Sequence, residues 1–278
     1  MAQTVFPLLL ADELHPSRDT IHIYSKLLGT VRQALTPPQK QWWHISLRAA
    51  AAGLTTTPIP SNDMTFEMLL DFTTHEFCVS TSVGDWWDMT LRGQSGRDFA
   101  EETLGALRTL GVALKVDRSK FSDTARRAYD TTAIEDYWQA ASQVDILLKQ
   151  FKGELREETS PVQLWPHHFD FSLVWFSGRL VPGEDPADAA HADEQMAFGF
   201  STGDEGIPEP YFYITVYPWQ EALSQCELPP GATWHTEGWK GAMLLYKTLI
   251  QGEQPRDQLL DFWRRTQQAG AALMKTPG

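Results

Sequence analysis

Imidazole and carboxylate recur two residues apart in this chain, at His168 and Asp170 and again at His235 and Glu237. On an extended strand, residues two apart share a face, so each pair would present both groups side by side. If the two strands were neighbours, the four side chains would suit zinc, manganese or iron, or general acid–base work. Glu194 and Asp193, after an acidic loop, would add oxygen ligands. His167 immediately precedes His168, so on a strand it points to the opposite face and leaves that set. A structural reading competes: His168 donating to a carbonyl inside a β core, Asp170 accepting from a nearby amide, and Glu237 beside Gly238 belonging only to a turn. The same segments are rich in large rings. Trp43, Trp165, Tyr211, Tyr213, Trp234 and Trp239, with Arg179, are the side chains expected to line a pocket for a small molecule.

Other reactive types carry less. Ser172 and Ser177 lack a GxSxG elbow, which argues against a serine hydrolase. Cys78 follows His75 by three residues, a pairing that a hairpin would bring together, although a core thiol is the simpler reading. The loop STGDEGIPEP carries Asp204, Glu205 and Glu209, and Arg179 is an ion-pair partner for such carboxylates.

Runs of strands bracketed by helices hold these residues. Helical spacing of Ile21, Tyr24, Leu27, Leu28 and Val31 predicts a helix over 20–35. A strand is expected over 42–50, a loop over 53–63, and a hairpin from 65–72 and 77–82, then a strand over 86–91. A helix over 97–110 ends at Gly111. Residues 116–131 are polar and read as a linker. Thr132 and Glu135 fit a capping box that opens a helix reaching 155. The strand 164–176, an acidic loop over 181–193, strands 194–200 and 211–217, a hairpin within 233–245 and a helix over 256–273 complete the chain.

The two halves repeat this order. Thr36-Pro37-Pro38-Gln39 aligns with Ser160-Pro161-Val162-Gln163, and His44-Ile45-Ser46-Leu47 with His168-Phe169-Asp170-Phe171. Ser46 stands where the second half has Asp170, so one half at most keeps the carboxylate. The expectation is an α+β fold with antiparallel sheet, built as a duplicated helix–strands–helix unit. Residues 1–115 form the first copy, 116–131 the linker and 132–278 the second. Neither regular β-α-β alternation nor a GxGxxG or Walker-type loop is present, which argues against a nucleotide-binding doubly wound sheet.

A net charge of −13 over 278 residues argues against nucleic acid and against an anionic membrane surface as partners. No apolar run approaches the ~20 residues needed to cross a bilayer. The first residues lack a basic n-region and read as mature protein, and two distant cysteines fit a reducing cytoplasm. Tryptophan is abundant at 11 residues, and the doublets Trp42-Trp43 and Trp86-Trp87 would each turn one ring away from the core on a strand.

The segments GLTTTPIP, FEMLLDF, SPVQLWPHHFDFSLVWFSGR, EQMAFGFSTGDEGIPEPYFY and TWHTEGWKGAMLLY resemble a bacterial family known only as a domain of unknown function, over about residues 10–275. The resemblance implies a soluble protein, often standing alone, with no catalytic residues to carry over. It also implies that some members replace His168 while keeping the equivalents of Phe169-Asp170 and of Phe176 to Arg179, which moves His168 toward a structural role. The leading expectation is therefore a cytoplasmic protein that binds a small molecule in an aromatic-lined pocket. A metal-dependent hydrolase or lyase using His168, Asp170, His235 and Glu237 is one alternative. A partner-binding module displaying a Trp doublet is the other.

Overall fold

Ile21, Tyr24, Leu27, Leu28 and Val31 seal one face of a long helix, α1 (Ala11–Leu35), from solvent. It begins earlier than the periodicity predicted, and Pro16 is accommodated inside it, its carbonyl accepting a bond from the Thr20 hydroxyl (3.1 Å). The computed structural model describes residues 6–188 and 190–275. They form two units, the first Asp12–Ser142 with Gln163–Phe169, the second Met1–Ala11, Gln143–Val162 and Asp170–Gly278.

In the first unit the strand expected over 42–50 is a 3-10 turn, Lys40–Ile45, followed only by the short strand β1 (Arg48–Ala49). Side chains close that turn. The Gln39 amide donates to His44 Nδ1 (3.2 Å), and the Ser46 hydroxyl donates to the Trp43 carbonyl (2.7 Å). Such local bonds compete with a ladder, and here they prevail. The loop expected over 53–63 contains two short strands, β2 (Gly53–Thr55) and β3 (Ile59–Ser61). The hairpin is as predicted: β4 (Met64–Asp71) pairs antiparallel with β5 (Glu76–Thr81), and Asp71 accepts the amides of Thr73 and Thr74 across its turn. With β6 (Trp86–Thr90) the order is β1-β2-β4-β5-β6, β3 lying on β4.

Ser95 caps α2 (Gly96–Thr109) by accepting from the Asp98 amide. Residues 118–121 make a 3-10 turn with Phe121 buried. Helix α3 (Thr131–Glu154) is capped by Asp130, which accepts the Ala133 amide, so the Thr132–Glu135 box is a correction. Glu135 faces His75 instead (3.2 Å). The strand expected over 164–176 is interrupted: β7 (Gln163–Trp165) gives way to a turn through 166–169 before the next strand opens.

The second unit carries β8 (Asp170–Leu180), β9 (Asp193–Ser201), β10 (Tyr211–Tyr217), β11 (Ala232–His235) and β12 (Gly241–Leu245), in the order β8-β9-β10-β12-β11. Every pair is antiparallel. A short helix α4 (Tyr246–Ile250) and the long α5 (Pro255–Lys275) follow. Alternation divides the sheet cleanly. Phe198, Phe200, Phe212 and Ile214 are buried on one face, where Phe151 meets Phe198 (5.0 Å between centroids) and Trp263 meets Phe212 (6.3 Å). Tyr211 and Tyr213 take the other face. The fold is α+β with antiparallel sheets, as the order of elements predicted.

Candidate functional site

The first unit gathers rings and bases around the turn at 166–169. Its geometry starts with α1. A Cβ at Gly29 would lie 2.6 Å from Pro166 Cγ, so glycine at this position lets the turn settle directly on the helix. One turn or two away, His22 Nε2 donates to the His167 carbonyl (3.1 Å), and its ring lies 5.3 Å from that of buried Phe169. The Phe169 amide returns to the Trp165 carbonyl (2.7 Å), and Phe169 holds φ at 60°. Burial, reinforced by Lys26, pushes the His22 imidazole down to about 4, so near neutral pH it is an uncharged donor.

His167 and His168 therefore share a turn, their rings 4.5 Å apart, rather than opposing faces of a strand. Burial first, then His168 and Lys26, push His167 down to about 4. These two imidazoles, Trp165, Trp42, Gln41 and Gln33 line a groove of about 390 Å³. The 3-10 turn contributes Gln41 (φ 54°) and Trp42 (φ 60°) to the lining, consecutive left-handed residues without being glycine. Strain of this kind costs about 1–3 kcal/mol per residue and persists only where the surroundings enforce it. Here Arg32 of α1 donates through Nε to the His44 carbonyl (2.8 Å), while the Trp42 ring stacks on His44 at 5.4 Å. The result is an indole left 51% exposed beside the groove. A second lobe of about 280 Å³ shares Gln33, Ile45 and His167 with the first and adds Lys26, Thr30 and Lys120. A larger hollow of about 760 Å³ lies past the end of α2, lined by aliphatic residues with Arg108, Lys115 and Arg118, but it has neither a ring nor an imidazole.

The second unit holds another constellation. The Tyr213 ring crosses Gly199, where a Cβ would lie 2.2 Å from its Cζ, and its hydroxyl donates to Asp170 Oδ2. Burial and the Asp170 charge push that phenol far above its usual range. Tyr211 donates to Asp204 Oδ2 (2.6 Å), in the loop STGDEGIPEP. Trp239 lies 6.3 Å from Tyr211, 6.4 Å from Tyr213 and 4.3 Å from the His235 ring. Asp170, Tyr213, Trp239 and His235 thus form a continuous row, yet the rings fill the space between the polar ends.

The condition for the four-residue metal set is not met. His168 is in a turn of the first unit, and β8, bearing Asp170, is separated from β11, bearing His235, by β9, β10 and β12. Glu237 is exposed in the turn with Gly238 (φ 85°). Glu194 is committed elsewhere, accepting from Arg179 Nε (3.0 Å) and the Ser177 hydroxyl (2.8 Å), and Asp193 opens β9. Among the described residues no group of three or more His, Cys, Asp or Glu is placed to hold a metal ion. Trp234 donates to the Cys226 carbonyl (3.1 Å) and meets Trp219 edge-on, while Trp43 is half-buried in the 3-10 turn. Glu205 is exposed and Glu209 pairs with Lys247. The His75 nitrogens face Tyr129 and Glu135, which takes that imidazole from Cys78, and burial raises the Cys78 thiol.

Of the side chains expected at a site, His168 and Trp165 line the groove, whereas Trp42, Lys26, Gln33 and Lys120 also line it or its second lobe without having been singled out for it. One signal was available. His22, Lys26, Gly29, Thr30 and Gln33 repeat at helical spacing on α1, a polar stripe interrupted by glycine. No curated protein and no solved structure matches the chain. The sequence model of one family covers residues 6–277, and the chain belongs to that family, the family of unknown function DUF5996.

Proposed function

We propose that the chain binds a small planar molecule in the groove between Trp42 and the His167-His168 turn. One observation carries the reading: two consecutive left-handed residues, Gln41 and Trp42, hold an indole half in solvent beside a groove that Trp165 also lines. Strained backbone and an exposed large ring both act against stability, and both are accounted for if a ligand covers the ring. Trp165 and the two imidazoles supply flat surfaces, and Gln33 and Gln41 supply amides for orientation. Binding at a hundredfold excess over Kd stabilises the folded chain by about 2.7 kcal/mol. A thermal-shift screen of aromatic and heteroaromatic compounds should therefore raise Tm by several degrees for a hit. Trp42→Ala should remove that rise while leaving the unliganded Tm within a degree or two. Hits that stabilise Trp42→Ala and Trp165→Ala equally well would refute the assignment.

A second reading rests on Trp86 and Val83, 68% and 65% exposed in the β5–β6 hairpin. They favour a partner surface there. Trp86→Ser would then abolish a co-purifying partner without altering ligand-induced stabilisation.

A further inference from the structure

The two lobes of the groove share a chemical bias. The chain as a whole has more acidic than basic residues, 36 Asp and Glu against 23 Lys and Arg. The residues lining the two lobes nevertheless include Lys26, Lys120, His167 and His168, and no Asp or Glu. The bases are arranged unevenly. The imidazoles sit with the tryptophans in one lobe, the amines belong to the other, and Gln33, Ile45 and His167 join the two.

We infer that the ligand is an aromatic acid, its ring beside Trp42 and Trp165 and its anionic group beside Lys26 and Lys120. This rests on the groove reading above and adds the charge. A cationic ligand would meet two amines and no carboxylate in the lining, the exposed Asp117 acting on Lys120 only from outside it, whereas an anion is attracted by both amines. Lys26 and His167 both line the second lobe, so the amine and the imidazole border one space. Charge-assisted hydrogen bonds from lysine are about twice as strong as neutral ones, which gives an anion a clear advantage over its amide. Carboxylate and phosphate share this chemistry.

The test uses three probes with one ring: 2-naphthoate, 2-naphthyl phosphate and 2-naphthamide, titrated against the full chain by fluorescence or calorimetry. At least one anion should bind about tenfold or more tightly than the amide, as expected for one charged hydrogen bond. Raising NaCl from about 50 to about 500 mM should weaken the anion and leave the amide unchanged. Lys26→Gln and the more exposed Lys120→Gln should each erode the preference without changing amide affinity. Equal affinity for anions and amide would overturn the inference while leaving the groove reading intact. Binding of none of the three at millimolar concentration would overturn both.

Discussion

His22 offers the most direct probe of how the groove is held. Its folded imidazole titrates at about 4, against an ordinary value of 6.5, because burial and then Lys26 oppose its charge. The folded state is therefore depressed relative to the unfolded chain. The sign follows: the contribution is fully present above the unfolded pKa of 6.5 and is lost as pH falls toward the folded value of about 4. At about pH 5 the unfolded imidazole is almost wholly protonated and the folded one is not, a gap of about 2 kcal/mol, or 1 to 2 kcal/mol after allowing for partial exposure. His22→Gln keeps an amide donor for the His167 carbonyl but cannot titrate. Urea unfolding of both proteins at about pH 7.5 and about pH 5 gives four stabilities, and their double difference isolates His22 from every other titrating group. The wild type should lose 1 to 2 kcal/mol more than the variant on acidification. Equal losses would refute the neutral, buried imidazole and the positioning of the turn that depends on it.

Two further outcomes follow from the geometry. Gln41→Gly removes the penalty of a left-handed Cβ and should raise stability by about 1 kcal/mol, read as a higher urea midpoint, while a decrease would mean that Gln41 is not strained. Tyr213→Phe deletes one donor to Asp170, a carboxylate only 8% exposed, and should cost about 1 to 3 kcal/mol in the same assay, with no loss contradicting the buried pair.

Period-two and period-3.6 patterns made much of the architecture legible. Phe66, Met68 and Leu70 recur at period two, as do Phe77 and Val79 beyond the Thr73-Thr74 turn, and the hairpin forms there. Tyr211 to Tyr217 and the flanks of the acidic loop were readable for the same reason. What escaped was local bonding. In residues 40–46 the apolar content of Trp42, Trp43 and Ile45 suggests a strand. The imidazole of His44 and the hydroxyl of Ser46 instead bond to backbone groups three to five residues away and close a 3-10 turn. At Pro166 the error had a different source. The strand expected over 164–176 runs through Pro166, and proline withholds a ladder donor and argues against a central strand. Once the turn is recognised, the facing rule for His167 and His168 no longer applies, and the metal set loses its first member.

The groove and the Asp170–Tyr213 pair also show why a carboxylate near an imidazole in sequence is weak evidence for shared chemistry. Phe169 stands between His168 and Asp170 with φ at 60° and a ring 1% exposed, packed on Tyr137 at 5.5 Å and on His22 at 5.3 Å. A left-handed residue reverses the local chain direction, so the two-residue spacing no longer places its neighbours on one face. Burying a phenylalanine stabilises by about 1.5 to 3 kcal/mol, enough to offset about 1 to 2 kcal/mol for the left-handed backbone. Phe169 therefore separates two environments. His168 is exposed in the turn of the first unit, beside a groove lined by bases, and Asp170 is buried at the head of β8, accepting from a tyrosine. The sequence spacing that suggested one acidic–basic site joins instead an exposed imidazole beside a groove and a buried carboxylate that accepts from Tyr213.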